Sequence, residues 1–331
     1  MTAKTFFALF LAVLTWATAS AGEAKVGKQR HYPKDVPAGD YSGITRVGRS
    51  LYALADDKCA TAGFHLVDIA IDSLTGDITA VRHVDFRTQG LPNRDEEGIA
   101  WFPPLGTLFL AGEADGEVKE YTLDGRQTGR KLNIPQQMRD SHPNNSFEAL
   151  TYDTVAHRFW TTTECTLRGD GAKPTIGNKV ANRLRLQSFG DDLQPREAYW
   201  YATDRTVLRD SKRKGQSHVG LSALAALGDG RIAVLERDIY IATSRLGSFC
   251  HNKVYIVNPS LQEPGDTLNK HLVAQWRTRM NLVRQNLANY EGMCLAPRLA
   301  DGRIVLVLCA DSAHHYGKLL RDWFRTVVLP Q

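Results

Sequence analysis

Glu97-Gly98-Ile99-Ala100-Trp101-Phe102-Pro103-Pro104-Leu105-Gly106-Thr107-Leu108-Phe109-Leu110-Ala111-Gly112-Glu113 is the stretch whose reading decides the fold. Two short apolar runs rich in β-favouring residues flank a Pro-Pro-Leu-Gly turn, the pattern of a β-hairpin and not of a helix. In an antiparallel pair the first residue of one strand lies beside the last residue of the other. Glu97 and Glu113 are therefore expected together at the open end.

The same design recurs along the chain. Tyr41-Ser42-Gly43-Ile44-Thr45 leads across Gly48 to a run ending at Asp56-Asp57. Phe147-Glu148-Ala149-Leu150-Thr151 leads to Phe159-Trp160-Thr161-Thr162-Thr163-Glu164. Val219-Gly220-Leu221-Ser222 leads across Gly228-Asp229-Gly230 to Ile232-Ala233-Val234-Leu235-Glu236. Tyr290-Glu291-Gly292-Met293 leads across Asp301-Gly302 to a run ending at Ala310-Asp311. Segments between them, such as Val118-Lys119-Glu120-Tyr121 and Lys253-Val254-Tyr255-Ile256-Val257, alternate or are β-branched and can supply outer strands.

The marker residue falls at positions 43, 98, 149, 220 and 292, in steps of 55, 51, 71 and 72 residues. A blade of four strands takes about 40–50 residues, so each step holds one blade plus insertions. The fold class is all-β and the architecture a β-propeller. The two long steps leave room for a degenerate extra blade around Leu272-Val273-Ala274-Gln275-Trp276. Six blades are the expectation, with five the alternative. The ring is expected to close by pairing the extended lead-in, residues 22–40, with the strand near Thr326-Val327-Val328-Leu329.

Inner strands of a propeller line its axis, so the open ends of the hairpins gather on one face. That face collects Glu97, Glu113, Glu148, Glu164, Glu236, Glu291 and Asp311, with Asp56 or Asp57. Carboxylates crowded this way repel, and one of them is driven to keep its proton unless a cation compensates. An oxygen-rich ring suits a hard divalent cation, Ca²⁺ first and Mg²⁺ or Mn²⁺ next. The competing reading ties the same acids to backbone amides between blades. His314-His315 follow Asp311 by three residues and are candidates for ligation or acid–base work, and Arg168, His218 and His251 flank the same face.

The 331 residues carry a net charge of +5, which permits an anionic small-molecule ligand without a dense basic stripe for nucleic acid. The one tight basic run, Lys212-Arg213-Lys214, reads as a solvated loop. Lys4, the apolar run Phe6 to Leu14 and the small residues Ala17 to Ala21 form a secretory signal, cleaved after Ala21 or Ala19. It is too short to span a bilayer as a helix. A secreted or periplasmic monomer without a membrane span is expected, with residues 41–331 as its domain. Among five cysteines, Cys165–Cys250 and Cys294–Cys309 are the possible pairings, the latter pair equally well buried thiols. Neither a Gly-x-Ser-x-Gly elbow, a His-Glu-x-x-His helix nor a phosphate loop is present.

Asp95-Glu96-Glu97-Gly98-Ile99-Ala100, Ser146-Phe147-Glu148-Ala149-Leu150 with Thr163-Glu164, and Asn289-Tyr290-Glu291-Gly292 with Cys309-Ala310-Asp311 resemble the phytase-like family, also called "esterase-like activity of phytase". The similarity runs from about Tyr41 to Leu329 and departs at Ala149, where glycine is usual, and at Val219-Gly220, where no acid precedes the glycine. It implies an exported β-propeller with phosphoesterase work at Glu97, Glu148, Glu164, Glu291 and Asp311. Metal-dependent phosphoester hydrolysis, with Glu148, Glu291, Asp311 and His314 as catalytic groups, is thus one expectation. A ligand- or partner-binding propeller with structural acids or one structural Ca²⁺ is the alternative, and a lactonase-like hydrolase the weaker third.

Overall fold

The computed structural model describes residues 24–142, 146–208, 214–313 and 320–330. The N-terminal apolar run, Lys212-Arg213 and the His314-His315 pair lie outside the described residues.

Five antiparallel sheets follow one another around a ring. The lead-in forms β1 (Lys25–Val26) and β2 (Arg30–His31). The first blade is β3 (Tyr41–Arg46), β4 (Leu51–Asp56), β5 (Thr61–Ile71) and β6 (Ile78–Pro92). The second is β7 (Glu96–Phe102), β8 (Thr107–Gly112), β9 (Glu117–Thr122) and β10 (Gln127–Lys131). The third is β11 (Phe147–Asp153), β12 (Arg158–Thr163), β13 (Arg183–Phe189) and β14 (Pro195–Ala202). The fourth is β15 (Gly215–Ala226), β16 (Ile232–Ala242), β17 (Ser248–Val257) and β18 (Lys270–Met280). The fifth is β19 (Asn289–Leu295), β20 (Val305–Asp311) and β21 (Trp323–Val328), completed by β1 and β2, which both pair with β21.

The propeller therefore has five blades and not six. The step from 220 to 292 is filled by elongated strands, β15 to β18 running 12, 11, 10 and 11 residues, and the step from 149 to 220 is lengthened by the connection of residues 164–182 between β12 and β13. Leu272–Trp276 is part of β18, paired with β17, and starts no blade of its own.

Apolar packing lies between blades. Phe102 and Phe109 of the second blade meet Tyr152 and Phe159 of the third, with ring centroids 4.6–5.1 Å apart across the interface. Ala233 and Leu235 of the fourth blade join Leu306 and Leu308 of the fifth in another buried cluster. Similar clusters occupy the remaining interfaces, so each sheet buries both faces against its neighbours. All five cysteines are free thiols. Cys165 and Cys250 do not pair, nor do Cys294 and Cys309, which are buried in the fifth blade.

One irregularity repeats in every blade and shapes the axis. On β3, Tyr41 pairs with Asp56 and Gly43 with Ala55, so Ser42 is an extra, bulged residue. The register jumps in the same way past Glu148 on β11, Ser222 on β15 and Glu291 on β19. On β7 the jump falls between Glu96 and Ile99, at Glu97-Gly98. A bulge bends the strand and re-aims the extra side chain. The small residue that follows lets the next inner strand come close: a Cβ on Gly98 would lie 2.7 Å from the Leu150 nitrogen and 2.8 Å from the Glu148 oxygen.

Candidate metal centre

The register defines which residues are equivalent. Ser42, Glu97, Glu148, Ser222 and Glu291 occupy the bulge position in blades one to five. On each second strand, the residue that follows the partner of the pre-bulge residue is Asp57, Glu113, Glu164, Arg237 or Asp311 in turn. Two layers of five positions thus stack at one end of the axis.

The bulge layer divides by chemistry. Ser42 Oγ donates to the Glu96 carbonyl at 2.7 Å, and Ser222 Oγ to the Tyr290 carbonyl at 3.1 Å. Each serine thereby ties its strand to the next blade, one residue before that blade's bulged glutamate. Glu97, Glu148 and Glu291 point inward instead, and one oxygen of each lies within 4.8 Å of the other two. All three are buried.

The second layer surrounds them. Asp57 belongs both to a cluster with Asp95 and Glu97 and to one with Asp40 and Asp311. Its Oδ1 is buried with no hydrogen-bond partner among the described residues. Lys58 Nζ bridges Asp57 at 2.7 Å and Asp95 at 2.5 Å. Glu113 Oε1 accepts the Ser146 N–H at 3.1 Å. Asp311 accepts the Ala313 N–H at 2.6 Å and Asn289 Nδ2 at 3.2 Å. Glu164 Oε1 is 2.7 Å from His218 Nε2, and Gly220 leaves the space in which the Glu164 side chain lies.

Arg237 is the residue that the sequence reading missed. Buried in the acidic layer, it donates to Glu291, Asn289 and Glu164 and stands 3.6 Å from Glu148. Glu236, expected on the axis, is not there. It accepts from Tyr201 at 2.6 Å, Lys270 at 2.5 Å and the Asp204 N–H at 2.9 Å, in a network between the third and fourth blades. Successive strand residues face opposite ways, so the axial place belongs to Arg237 and the flank to Glu236. Likewise Asp57, not Asp56, faces the axial acids. The matching glycine of the fourth blade is replaced by Ala223, three residues after Gly220.

Burial and mutual repulsion set the protonation of this pocket. Burial, reinforced by Glu148 and Glu291, pushes Glu97 well above the usual carboxylate range. Glu148 rises through burial, then Glu164 and Glu291, against the pull of Arg237. Glu291 rises through burial, with Arg237 opposing and Asp311 adding. Asp57 is pushed up to about 7 by burial and Asp311, with Lys58 opposing. Asp311 is pushed up to about 6, chiefly by burial. At Glu164 burial acts upward, but His218 and Arg237 outweigh it and hold the carboxyl well below its usual range. The fit to a hard cation is good: convergent oxygen donors, an excess of acid over Arg237, and an unsatisfied Asp57 oxygen.

The family model described as "Phytase-like: Esterase-like activity of phytase" matches residues 36–312. No curated protein matches the chain. Among solved structures, RS223 β-xylosidase aligns at 9% identity over 91% of this chain and 94% of that one, TM-score 0.43. A duf4221 family member from Bacteroides vulgatus aligns at 11% identity over 94% and 99%, TM-score 0.40. The β-propeller domain of Myceliophteria thermophila Cps50 (Swd1) aligns at 9% identity over 91% and 100%, TM-score 0.34.

Proposed function

The chain belongs to the phytase-like family described as esterase-like activity of phytase, and from that premise we propose that it is an exported, metal-dependent phosphoesterase. The observation that carries the reading is the convergence of Glu97, Glu148 and Glu291 from three blades onto one axial point. These three would hold a divalent cation, Ca²⁺ first and Mg²⁺ or Mn²⁺ next, with Asp57 and Asp311 next to them. When bound, such a cation polarises a phosphoryl oxygen and eases deprotonation of water.

The chain's own groups would do the rest. His218 Nε2 lies 2.7 Å from Glu164 Oε1, and with Lys173 it lines a surface recess on that side. A phosphate bound in that recess would meet Lys173 and His218, and His218 would be the group placed for acid–base work on the leaving oxygen. Asp57 and Asp311, pushed up to about 7 and about 6, can accept one near neutral pH.

The ion pairs of Arg237 with Glu164 and Glu291 favour a second reading, a ligand-binding propeller whose acids are structural. One experiment separates the two. Phosphomonoesters, phosphodiesters and phytate are assayed with Ca²⁺, Mg²⁺ and Mn²⁺, using wild-type protein and the Glu148→Gln/Glu291→Gln double variant. Cation-dependent turnover lost in the variant supports the enzyme. Absence of turnover with every cation, or equal turnover in both proteins, overturns the phosphoesterase in favour of the binding propeller.

A further inference from the structure

Asp56 and Asp57 are neighbours in sequence but serve different clusters. Asp57 belongs to the axial acids, while Asp56 meets Cys59 and His65 where β4 turns into β5. Cys59 Sγ lies 3.5 Å from His65 Nε2, and Asp56 Oδ2 lies 3.4 Å from that same nitrogen. A direct N–H···O bond would bring nitrogen and oxygen to about 2.7–3.2 Å. A tetrahedral zinc with bonds of about 2.3 Å to sulfur and 2.0–2.2 Å to nitrogen and oxygen has S···N edges near ~3.5 Å and N···O edges near ~3.4 Å. The separations match the edges of such a tetrahedron.

The surroundings are built for the same task. His65 Nδ1 is 3.0 Å from His83 Nε2 on β6. With the proton on Nδ1 donated to His83, the lone pair of Nε2 faces Cys59 and Asp56, the usual outer support of a metal-binding histidine. The other Asp56 oxygen accepts the Lys58 N–H at 3.1 Å, which fixes the carboxylate. Asp56 and His65 are buried, and Cys59 is half-buried and gives the cluster an opening to solvent.

We propose that Asp56, Cys59 and His65 form a second metal site, for a divalent cation of zinc's class, with an open fourth position and with His83 as positioning residue. Sulfur and nitrogen donors select such an ion over the hard cations suited to the axial carboxylates. The chain would then carry two sites of different chemistry, one on the axis and one on the flank of the first blade.

The test is titration of chelator-treated, thiol-reduced full-length protein with Co²⁺ alone. A single equivalent is expected to give a sulfur-to-cobalt charge-transfer band in the near ultraviolet, bleached by added Zn²⁺. Cys59→Ser and His65→Ala, each checked for a native circular dichroism spectrum, should lose the band. His83→Gln should keep it with affinity weakened about 10–100-fold. The Glu148→Gln/Glu291→Gln variant should keep it unchanged. No charge-transfer band in the folded wild-type protein overturns the proposal. So does a band that survives Cys59→Ser, which would belong to Cys165 and His218, whose Sγ and Nε2 are also 3.5 Å apart.

Discussion

Arg237 reaches from the fourth blade to Glu291 of the fifth and to Glu164 of the third, inside the buried end of the axis. It holds the place where the other four blades carry Asp57, Glu113, Glu164 and Asp311. Four acids and one arginine in equivalent positions make the metal-free pocket self-compensating on one side only. Removing one partner of a buried charge network leaves the others uncompensated, at a cost of about 3–5 kcal/mol. Arg237→Met should therefore lower the melting temperature sharply in chelator, with a divalent cation restoring part of the loss. Differential scanning calorimetry with and without Ca²⁺ or Mn²⁺ measures both effects.

The pocket's proton balance predicts an unusual pH dependence. Asp57 and Asp311 are pushed up to about 7 and about 6 by burial and neighbouring acids, above the unfolded value of roughly 4. Between those limits the native state holds more protons than the unfolded chain, so stability falls as pH rises. Glu97, Glu148 and Glu291 are raised and act in the same direction. Glu164 is depressed, and its contribution is lost only below the ordinary carboxylate range. The metal-free protein should melt at a higher temperature near about pH 5 than near about pH 8. A bound cation should flatten or reverse that slope, a comparison that thermal unfolding across buffers makes directly.

Gly98 is where space and chemistry meet. A side chain there would press on backbone atoms of β11 at 2.7 and 2.8 Å, which cannot swing aside. Gly98→Val should destabilise by about 1–3 kcal/mol, the usual cost of overpacking. It should also weaken divalent cation binding, because the inner strands bearing Glu97 and Glu148 are forced apart. Ala149→Gly, at the equivalent place on β11, should cost only about 0.5–1 kcal/mol in backbone freedom. Urea unfolding and isothermal titration with Ca²⁺ on both variants check the contrast.

The fifth blade depends on its first residues. β1 and β2 cover the outer edge of β21, through pairs such as Lys25 with Val328 and Arg30 with Phe324. Deleting residues 1–31 leaves that edge open, and an open edge invites pairing with other chains. The truncated protein should form concentration-dependent oligomers in light scattering and lose a sharp thermal transition.

Local pattern carried far in this chain, and the places it failed have physical reasons. Four of the five inner hairpins were legible because Pro or Gly turns separate β-favouring runs, as at Pro103-Pro104-Leu105-Gly106, and the third was legible from its β-favouring runs alone. Blade number was not, because insertion length looks the same whether it builds a new sheet or lengthens β15 to β18. The fourth hairpin was marked at Gly220, whereas the bulge falls at Ser222 and the small residue after it is Ala223. That offset of three also hid Arg237: Glu236 closes the apolar run and matches the acids elsewhere, yet the next residue is the one that turns inward. An alignment of hairpin ends by bulge position, and not by glycine, would have found it. Cys59, His65 and His83 escaped notice because a turn and two long strands bring them together.

Ring closure carries a last consequence for the acidic triad. Glu97 and Glu148 come from adjacent blades, but Glu291 arrives from the blade that residues 25–31 complete. An unfinished or truncated chain holds two of these carboxylates at most in register. Cation capture would thus act as a receipt for completed folding, issued only once the first and last strands of the described chain have met.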